Sequence, residues 1–221
     1  MSTRNAVIFG ASGGIGRALA DHLDALGNLV HRRSRSTGDF DLLDPASLAR
    51  VVAELPAEPD LVFVATGALT VDGHRPERAL SELDADVLRR AFELNAIGPA
   101  LLARHLAPRM APGGRVAFLS ARLASIGDNG LGGWTSYRSS KAALNQVVRC
   151  AAIEQARRDS KAVWVALHPG TIETELTRPY ARGRYTATPA ECATQLVQLM
   201  QALEPADSGG FFAYDGQPIP W

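Results

Sequence analysis

The sequence predicts a three-layer α/β domain built on a doubly wound parallel sheet of about six principal strands. Three features lead there: short β-rich apolar runs, amphipathic helical stretches alternating with them, and a glycine-rich turn directly after the first run. A length of 221 residues suits one domain, so residues 1–221 are read as a single unit. With 46% hydrophobic and 21% charged residues, the chain can bury a sizeable core and lacks the composition of disorder.

The strands come first in this reading. Continuous apolar runs at 6–9, 61–65, 115–119, 163–167 and 211–214 suit strands covered on both faces, and a weaker run lies at 29–31. Between them, apolar residues recur three and four apart, as on one face of a helix. Ile15, Leu19, Leu23 and Leu26 make one such set, and Leu48, Val51, Val52 and Leu55 the next. Leu144, Val147, Val148 and Ala151 make a third, followed by Leu196, Val197, Met200 and Leu203. Asp44 before Pro45 offers an N-cap oxygen and a preset first turn, while Thr188, Pro189 and Glu191 spell a capping box. The stretch 127–134, with four glycines, is a loop.

Two stretches are short. A parallel crossover needs about a dozen residues or more, and 31–41 is too brief to hold a helix as well as its turns. The second crossover helix is therefore predicted to be missing, with the strand near 39–41 vestigial or absent. The stretch 174–188 is likewise brief for a substrate lid, which predicts an open cleft tolerant of bulky ligands.

Composition limits function. Lys plus Arg and Asp plus Glu both total 23, so the formal net charge is +0, which argues against nucleic-acid or membrane partners bound through counterion release. The start of the chain lacks the pattern of a signal peptide and no run of about 18 apolar residues occurs, so a cytoplasmic location is expected. Cys150 and Cys192 each fall in an apolar helical pattern and read as buried, inert thiols. His22, His31, His74, His105 and His168 show no ligand spacing, and no metal is expected. Lys141 and Lys161 are the only lysines beside many arginines, which makes each worth a reason.

Gly10-Ala11-Ser12-Gly13-Gly14-Ile15-Gly16 follows the first strand and opens the first helix. Backbone N–H groups and the helix dipole there can receive a pyrophosphate, and glycines permit its close approach. At the end of the second strand, where a carboxylate would accept from adenosine ribose hydroxyls, the chain reads His31-Arg32-Arg33-Ser34-Arg35. Guanidinium forks and a hydroxyl at Ser34 and Arg35, with Arg33 in reserve, suit a 2′-phosphate and so favour NADP(H) over NAD(H); the rival reading is a solvated basic turn. Tyr137 and Lys141, four apart at a helix start, lie on one face and can share a ligand. An ammonium beside a phenol favours the phenolate, and that predicts a Tyr137 pKa below its free value of about 10.

The Gly-x3-Gly-x-Gly spacing and the Tyr-x3-Lys pair, in this order, resemble the short-chain dehydrogenase/reductase family. The run from Ser120 through Trp134 to Asn145 and the C-terminal Tyr214–Trp221 resemble its C-factor-like carbonyl reductase branch. The resemblance implies a Rossmann-type fold and interconversion of a carbonyl and an alcohol by hydride transfer, with Tyr137 as general acid/base and Lys141 on the nicotinamide ribose. It implies that Asn95 carries a proton-relay water and interrupts a long helix. Asp41 and Leu42 would hold the adenine, although Asp41 also reads as a helix-start carboxylate. Ala65, Thr66 and Gly67 stand where the family has an asparagine-rich cradle, and Pro169, Gly170, Ile172 and Thr174 would meet the nicotinamide amide. One position departs: the family's second strand-end serine is Ala121. Ser125, curling back from its loop, is slightly preferred to Ser120 as a substitute, and action without a serine stays open. Trp134 is either a wall of the substrate pocket or a loop anchor. The resemblance also implies a homodimer or homotetramer, with the Leu144, Val147 and Val148 stripe serving either interface or core. The competing function is a nucleotide-binding signalling or sensor protein with little turnover.

Overall fold

The computed structural model describes residues 5–38, 40–55 and 58–221. Strands β1 (Asn5–Phe9), β2 (Leu29–Arg33), β3 (Leu61–Val64), β4 (Arg115–Leu119), β5 (Val163–His168) and β6 (Phe211–Ala213) make one sheet, ordered β2-β1-β3-β4-β5-β6. Every neighbouring pair is parallel. The helices are α1 (Gly14–Ala25), α2 (Pro45–Ala53), α3 (Ala85–Phe92), α4 (Gly98–Leu106), α5 (Thr135–Arg158), α6 (Arg178–Ala181) and α7 (Pro189–Ala202). This is the doubly wound, Rossmann-type arrangement expected. β3 lies across β1 from β2, and that reversal of winding opens a crevice at the carboxyl ends of β1 and β3.

Successive strand residues point to opposite faces, so each strand feeds two cores. Val7 and Phe9 pack with Leu48 of α2, Leu102 of α4, and Leu144 and Val148 of α5. Ala6 and Ile8 pack with Leu19 and Leu23 of α1, and with Leu196 and Val197 of α7. The two cores bury the sheet between helical layers. Leu144 and Val148 are thereby committed to the core, the second of the two alternatives for that stripe.

Local signals behave as their chemistry requires. Asp44 Oδ1 accepts from Ala46 N–H at 2.9 Å ahead of Pro45. Thr188 and Glu191 complete a reciprocal capping box on α7. After β2 the chain makes only a 3-10 turn, Arg35–Thr37, before α2. Phe40 and Asp41 belong to no strand, and Asp39 lies outside the described residues. The Phe40 ring instead packs on Phe9, centroids 5.2 Å apart, sealing the core where the crossover helix is lacking. One expectation fails: Cys192 is buried, but Cys150 is exposed on α5, because its place on the helix falls beside the apolar stripe rather than on it. Among the described residues, no helix is long and apolar enough to cross a membrane.

His168, at the end of β5, keeps a buried Nδ1 without a hydrogen-bond partner. Burial, reinforced by the Arg122 guanidinium and opposed by Asp215, pushes it down to about 4. Above the ordinary value of 6.5 both folded and unfolded chains hold it neutral, so it has no effect there. As pH falls from 6.5 towards 4, the unfolded chain takes up a proton that the folded one refuses, and stability drops. Urea denaturation should therefore show a loss of about 2 kcal/mol between about pH 7 and about pH 5, and His168→Asn should remove that part of the acid limb.

Candidate active site

The glycine turn forms because its backbone comes closer than side chains allow. A Cβ on Gly16 would sit 2.2 Å from Gly10 O, and one on Gly10, whose φ is +85°, would sit 2.6 Å from Ala65 O. Gly14 faces Thr174, whose Cγ2 lies 2.6 Å from where a Cβ would be. Ser12, Gly13 and Gly14 are exposed while Ile15 is half-buried, and the N-cap, Gly13, places no side-chain oxygen on the first turn of α1. The positive end of α1 is thus open to an anion at the carboxyl edge of β1. Ala65 and Thr66 are half-buried beside it, Gly67 is exposed, and Thr66 Oγ1 is a buried hydroxyl without a partner. These features fit a dinucleotide phosphate group.

On the adenosine side, Gly10 and Ala11 donate to Arg33 O at 2.8 and 3.1 Å, which joins the glycine turn to the end of β2. Arg32 turns away to Asp21 and Asp24 of α1. Ser34 is buried, and its hydroxyl shares hydrogen bonds with Ser36 and Thr37, so it shapes the turn. Arg35 is exposed and makes no ion pair among the described residues. Asp41 Oδ1 accepts from Leu43 N–H at 2.9 Å, and Leu42 is buried against Gly98, whose added Cβ would lie 2.5 Å from Leu42 Cγ. At the far end of the crevice Pro169 and Ile172 are buried, Gly170 has φ +89°, and Thr174 N–H donates to Thr177 Oγ1 at 3.2 Å.

Asn95 lies on a π-helical turn, Glu93–Ile97, that interrupts the α3 to α4 helix. It is fully buried. Its Oδ1 accepts from Ala68 N–H at 2.8 Å, and its Nδ2 donates to Ala68 O at 2.9 Å and to Ser140 Oγ at 3.1 Å. Ser140 in turn donates to Tyr137 O at 2.9 Å, so the amide reaches the turn of α5 that carries Tyr137 and Lys141. Lys141 is 3% exposed and donates to Leu119 O at 2.9 Å. A Cβ on Gly67 would sit 3.0 Å from Lys141 Nζ and 3.1 Å from Asn95 Oδ1, so only glycine leaves room where the two converge.

Tyr137 is half-buried, and its hydroxyl makes no hydrogen bond among the described residues. Here the expected acidification fails. Burial pushes the phenol up to about 12 and pushes Lys141 down to about 8. Each shift favours the neutral form, and the ammonium held to Leu119 O does not reverse it for the phenol.

Neither serine approaches that hydroxyl by hydrogen bond. Ser120 Oγ donates to Asn145 Oδ1 at 2.6 Å, turned into the sheet-facing side of α5 as its strand register requires. Ser125 is buried, and its Oγ accepts from Asp128 N–H at 3.0 Å, which closes its own turn. Trp134 is both wall and anchor: its N–H donates to Glu77 O at 2.6 Å, and its ring lies edge-on to Tyr137 and Tyr180, centroids 6.5 and 5.3 Å away. The mouth is also less open than the short 174–188 stretch suggested. α6 crosses it, and Tyr180 Oη meets Thr70 Oγ1 at 2.6 Å.

Three contributors carry no motif of their own. Ser140 is one, although it stands inside the Tyr-x3-Lys run. Arg138 is another; it donates to Gly133 O, Gly132 O and Leu123 O and pins the glycine loop. The third is Glu77, 4% exposed, whose carboxylate accepts from Ser136 N–H at 3.2 Å and from the Ser136 hydroxyl. A carboxylate at the start of α5 satisfies otherwise orphaned donors and offsets the helix dipole beside Tyr137.

The comparisons agree with this geometry. Residues 28–218 match the family model described as enoyl-(acyl carrier protein) reductase, and the chain belongs to the short-chain dehydrogenase/reductase family of oxidoreductases. It is similar to 1-hydroxy-2-glutathionyl-2-methyl-3-butene dehydrogenase of Rhodococcus sp. (strain AD45), 33% identical over 175 residues, covering 79% of this chain and 74% of that protein. It is also 34% identical over 145 residues to C-signal of Myxococcus xanthus, covering 65% of this chain and 84% of that one. The NADPH-bound carbonyl reductase from chicken fatty liver shares the fold, with a TM-score of 0.83 over 100% of both chains at 24% identity.

Glu77→Ala should cost about 2 kcal/mol in urea denaturation, because it strands two buried donors of Ser136. Glu77→Gln, which keeps one acceptor, should cost less.

Proposed function

We propose that the protein is an NADP(H)-dependent carbonyl reductase in which Tyr137 is the general acid. The observation that carries this reading is the unpartnered Tyr137 hydroxyl, one helical turn from buried Lys141, at the carboxyl edge of a sheet whose glycine turn is open to a pyrophosphate. A bound reduced nicotinamide would supply the hydride to the carbonyl carbon. Tyr137 Oη gives its proton to the carbonyl oxygen, which becomes the alcohol. Lys141 orients the ribose hydroxyls with the N–H groups that Leu119 O leaves free, and Asn95 holds the backbone around both. Gly10, Ser12, Gly13, Gly14, Ile15 and Gly16 cradle the pyrophosphate, and Ala65, Thr66 and Gly67 line its far side. Pro169, Gly170, Ile172 and Thr174 form the nicotinamide end. Ser120 gives its O–H to Asn145, whereas Ser125 accepts from Asp128 N–H and, among the described residues, keeps its own O–H free to donate, so Ser125 is the serine that would help polarise the carbonyl.

A phenol pushed up to about 12 stays protonated at neutral pH, so Tyr137 holds the proton that reduction requires. Oxidation needs the phenolate, so its rate should rise steadily with pH above neutrality while reduction stays level. Tyr137→Phe should keep cofactor affinity and lose about 100-fold or more in the turnover of small aldehydes and ketones, followed by NADPH absorbance. The similarity to C-signal and the missing strand-end serine support a second reading, a nucleotide-binding signalling protein. Cofactor binding with no turnover of any carbonyl in a broad panel would select it.

Cofactor choice rests on the end of β2. Arg35, with Arg33 behind it and Ser34 shaping the turn, gives a 2′-phosphate charge-assisted hydrogen bonds that a ribose hydroxyl cannot replace. Titration should show NADPH binding at least about tenfold tighter than NADH, with Arg35→Ala bringing the two close together. The protein should also pair with itself. Ile97 and Ile153 remain 50% and 44% exposed beside α4 and on α5, and sedimentation should find a homodimer or homotetramer.

A further inference from the structure

Beyond Tyr137 the cleft changes character. The space beside its ring is lined by Ala68, Leu69, Val71, His74, Glu77 and the start of α5, and it shares Arg75 and Pro76 with a second cavity of about 210 Å³. That outer cavity has Trp134, Pro179 and Tyr180 as an apolar wall, and Arg75, Arg78 and Arg182 around it. No acidic residue lines it, and all three arginines are exposed without an ion pair or side-chain hydrogen bond among the described residues. Arg32, Arg89, Arg90, Arg122 and Arg158 elsewhere each pair with a carboxylate, whereas these three line one cavity together without one. In a chain of zero net charge, three unpaired guanidinium groups round one cavity make a local positive field that an anionic ligand would neutralise. The backbone is held to this shape. Trp134 and Arg182 are two of the three non-glycine residues with positive φ among the described residues, at +54° and +49°. Tyr180 fixes the roof through Thr70.

We propose that the substrate is an anionic carbonyl compound, with an apolar, preferably aromatic, body against Trp134 and Tyr180 and a carboxylate received by Arg75, Arg78 and Arg182. This rests on the reductase reading, whose carbonyl sits at Tyr137. The Trp134 ring stands edge-on to Tyr137, centroids 6.5 Å apart, and also lines the arginine cavity, so an aromatic body against it lies next to the carbonyl site. The reaction itself is unchanged: the carbonyl gains a hydride and a proton, and the nicotinamide is oxidised.

The test compares para-carboxybenzaldehyde with its uncharged methyl ester, under NADPH, in the full-length protein. The acid should show a kcat/KM at least about tenfold higher, carried by KM, and the advantage should shrink as salt screens the field. Replacing Arg75, Arg78 and Arg182 together by Gln should bring the acid-to-ester ratio close to one, and replacement by Lys should restore part of it. Isothermal titration of both probes into NADPH-loaded protein supplies a readout without turnover. If the two are reduced equally well, or the preference survives the Gln variant, the anion proposal is overturned while the reductase reading stands. Arg-dependent preference for the acid in binding, with neither compound reduced, would keep the anion cleft and remove the reductase. Neither reduction nor selective binding would overturn the proposal.

Discussion

One buried amide holds the site together. Asn95 uses both polar atoms of its side chain, clamping the Ala68 backbone from both sides and reaching Ser140 on α5. Three segments that are far apart in the chain, the loop after β3, the π-helical turn and the start of α5, therefore meet at a single residue. A π-turn has poorer geometry than the helix around it and persists where tertiary contacts reward it. Here the reward is the alignment of Lys141, Gly67 and the Tyr137 turn. A residue without matching donors and acceptors at 95 would leave the Ala68 backbone and Ser140 unsatisfied in a setting with little water.

The same packing decides protonation. Burial penalises whichever form of a group is charged, so a phenol and an amine placed in one dry region move in opposite directions, Tyr137 up and Lys141 down. Attraction between ammonium and phenolate would act the other way. Here desolvation wins, and Lys141 gives one N–H to Leu119 O at the end of β4. Glu77 works at the same helix start by meeting its free N–H groups, and Arg138 ties the preceding glycines, so the turn bearing Tyr137 is fixed from both sides.

The adenosine side is economical. Without the second crossover helix, Phe40 closes the core against Phe9, and the chain runs from β2 through one 3-10 turn to α2. Arg32 braces β2 against α1 through Asp21 and Asp24, while Arg33 O receives the glycine turn. The edge strand is thus secured by ion pairs and backbone bonds in place of a covering helix.

The sheet, its strand count and the missing crossover were legible in the sequence because they follow from local quantities: apolar runs, helical period, caps at Asp44 and Thr188, and the number of residues between 31 and 41. The glycine turn and the Tyr137 and Lys141 pair were legible for the same reason, since spacing along one element sets which side chains share a face. What lay beyond the sequence depended on partners far away in the chain. Ser125, a candidate beside Tyr137, takes a backbone partner at Asp128 that no spacing announces, and Cys150 faces outward. Glu77 sits in a polar loop that no pattern marks, yet it is buried against Ser136, 59 residues on. The sign of the Tyr137 shift was misjudged because a pairwise charge argument can be made from spacing, whereas desolvation is a property of everything packed around the group. The arginine cavity likewise exists only once the loop after β3, the start of α5 and the α6 segment are brought together, because a local field is a sum over residues that the sequence keeps apart.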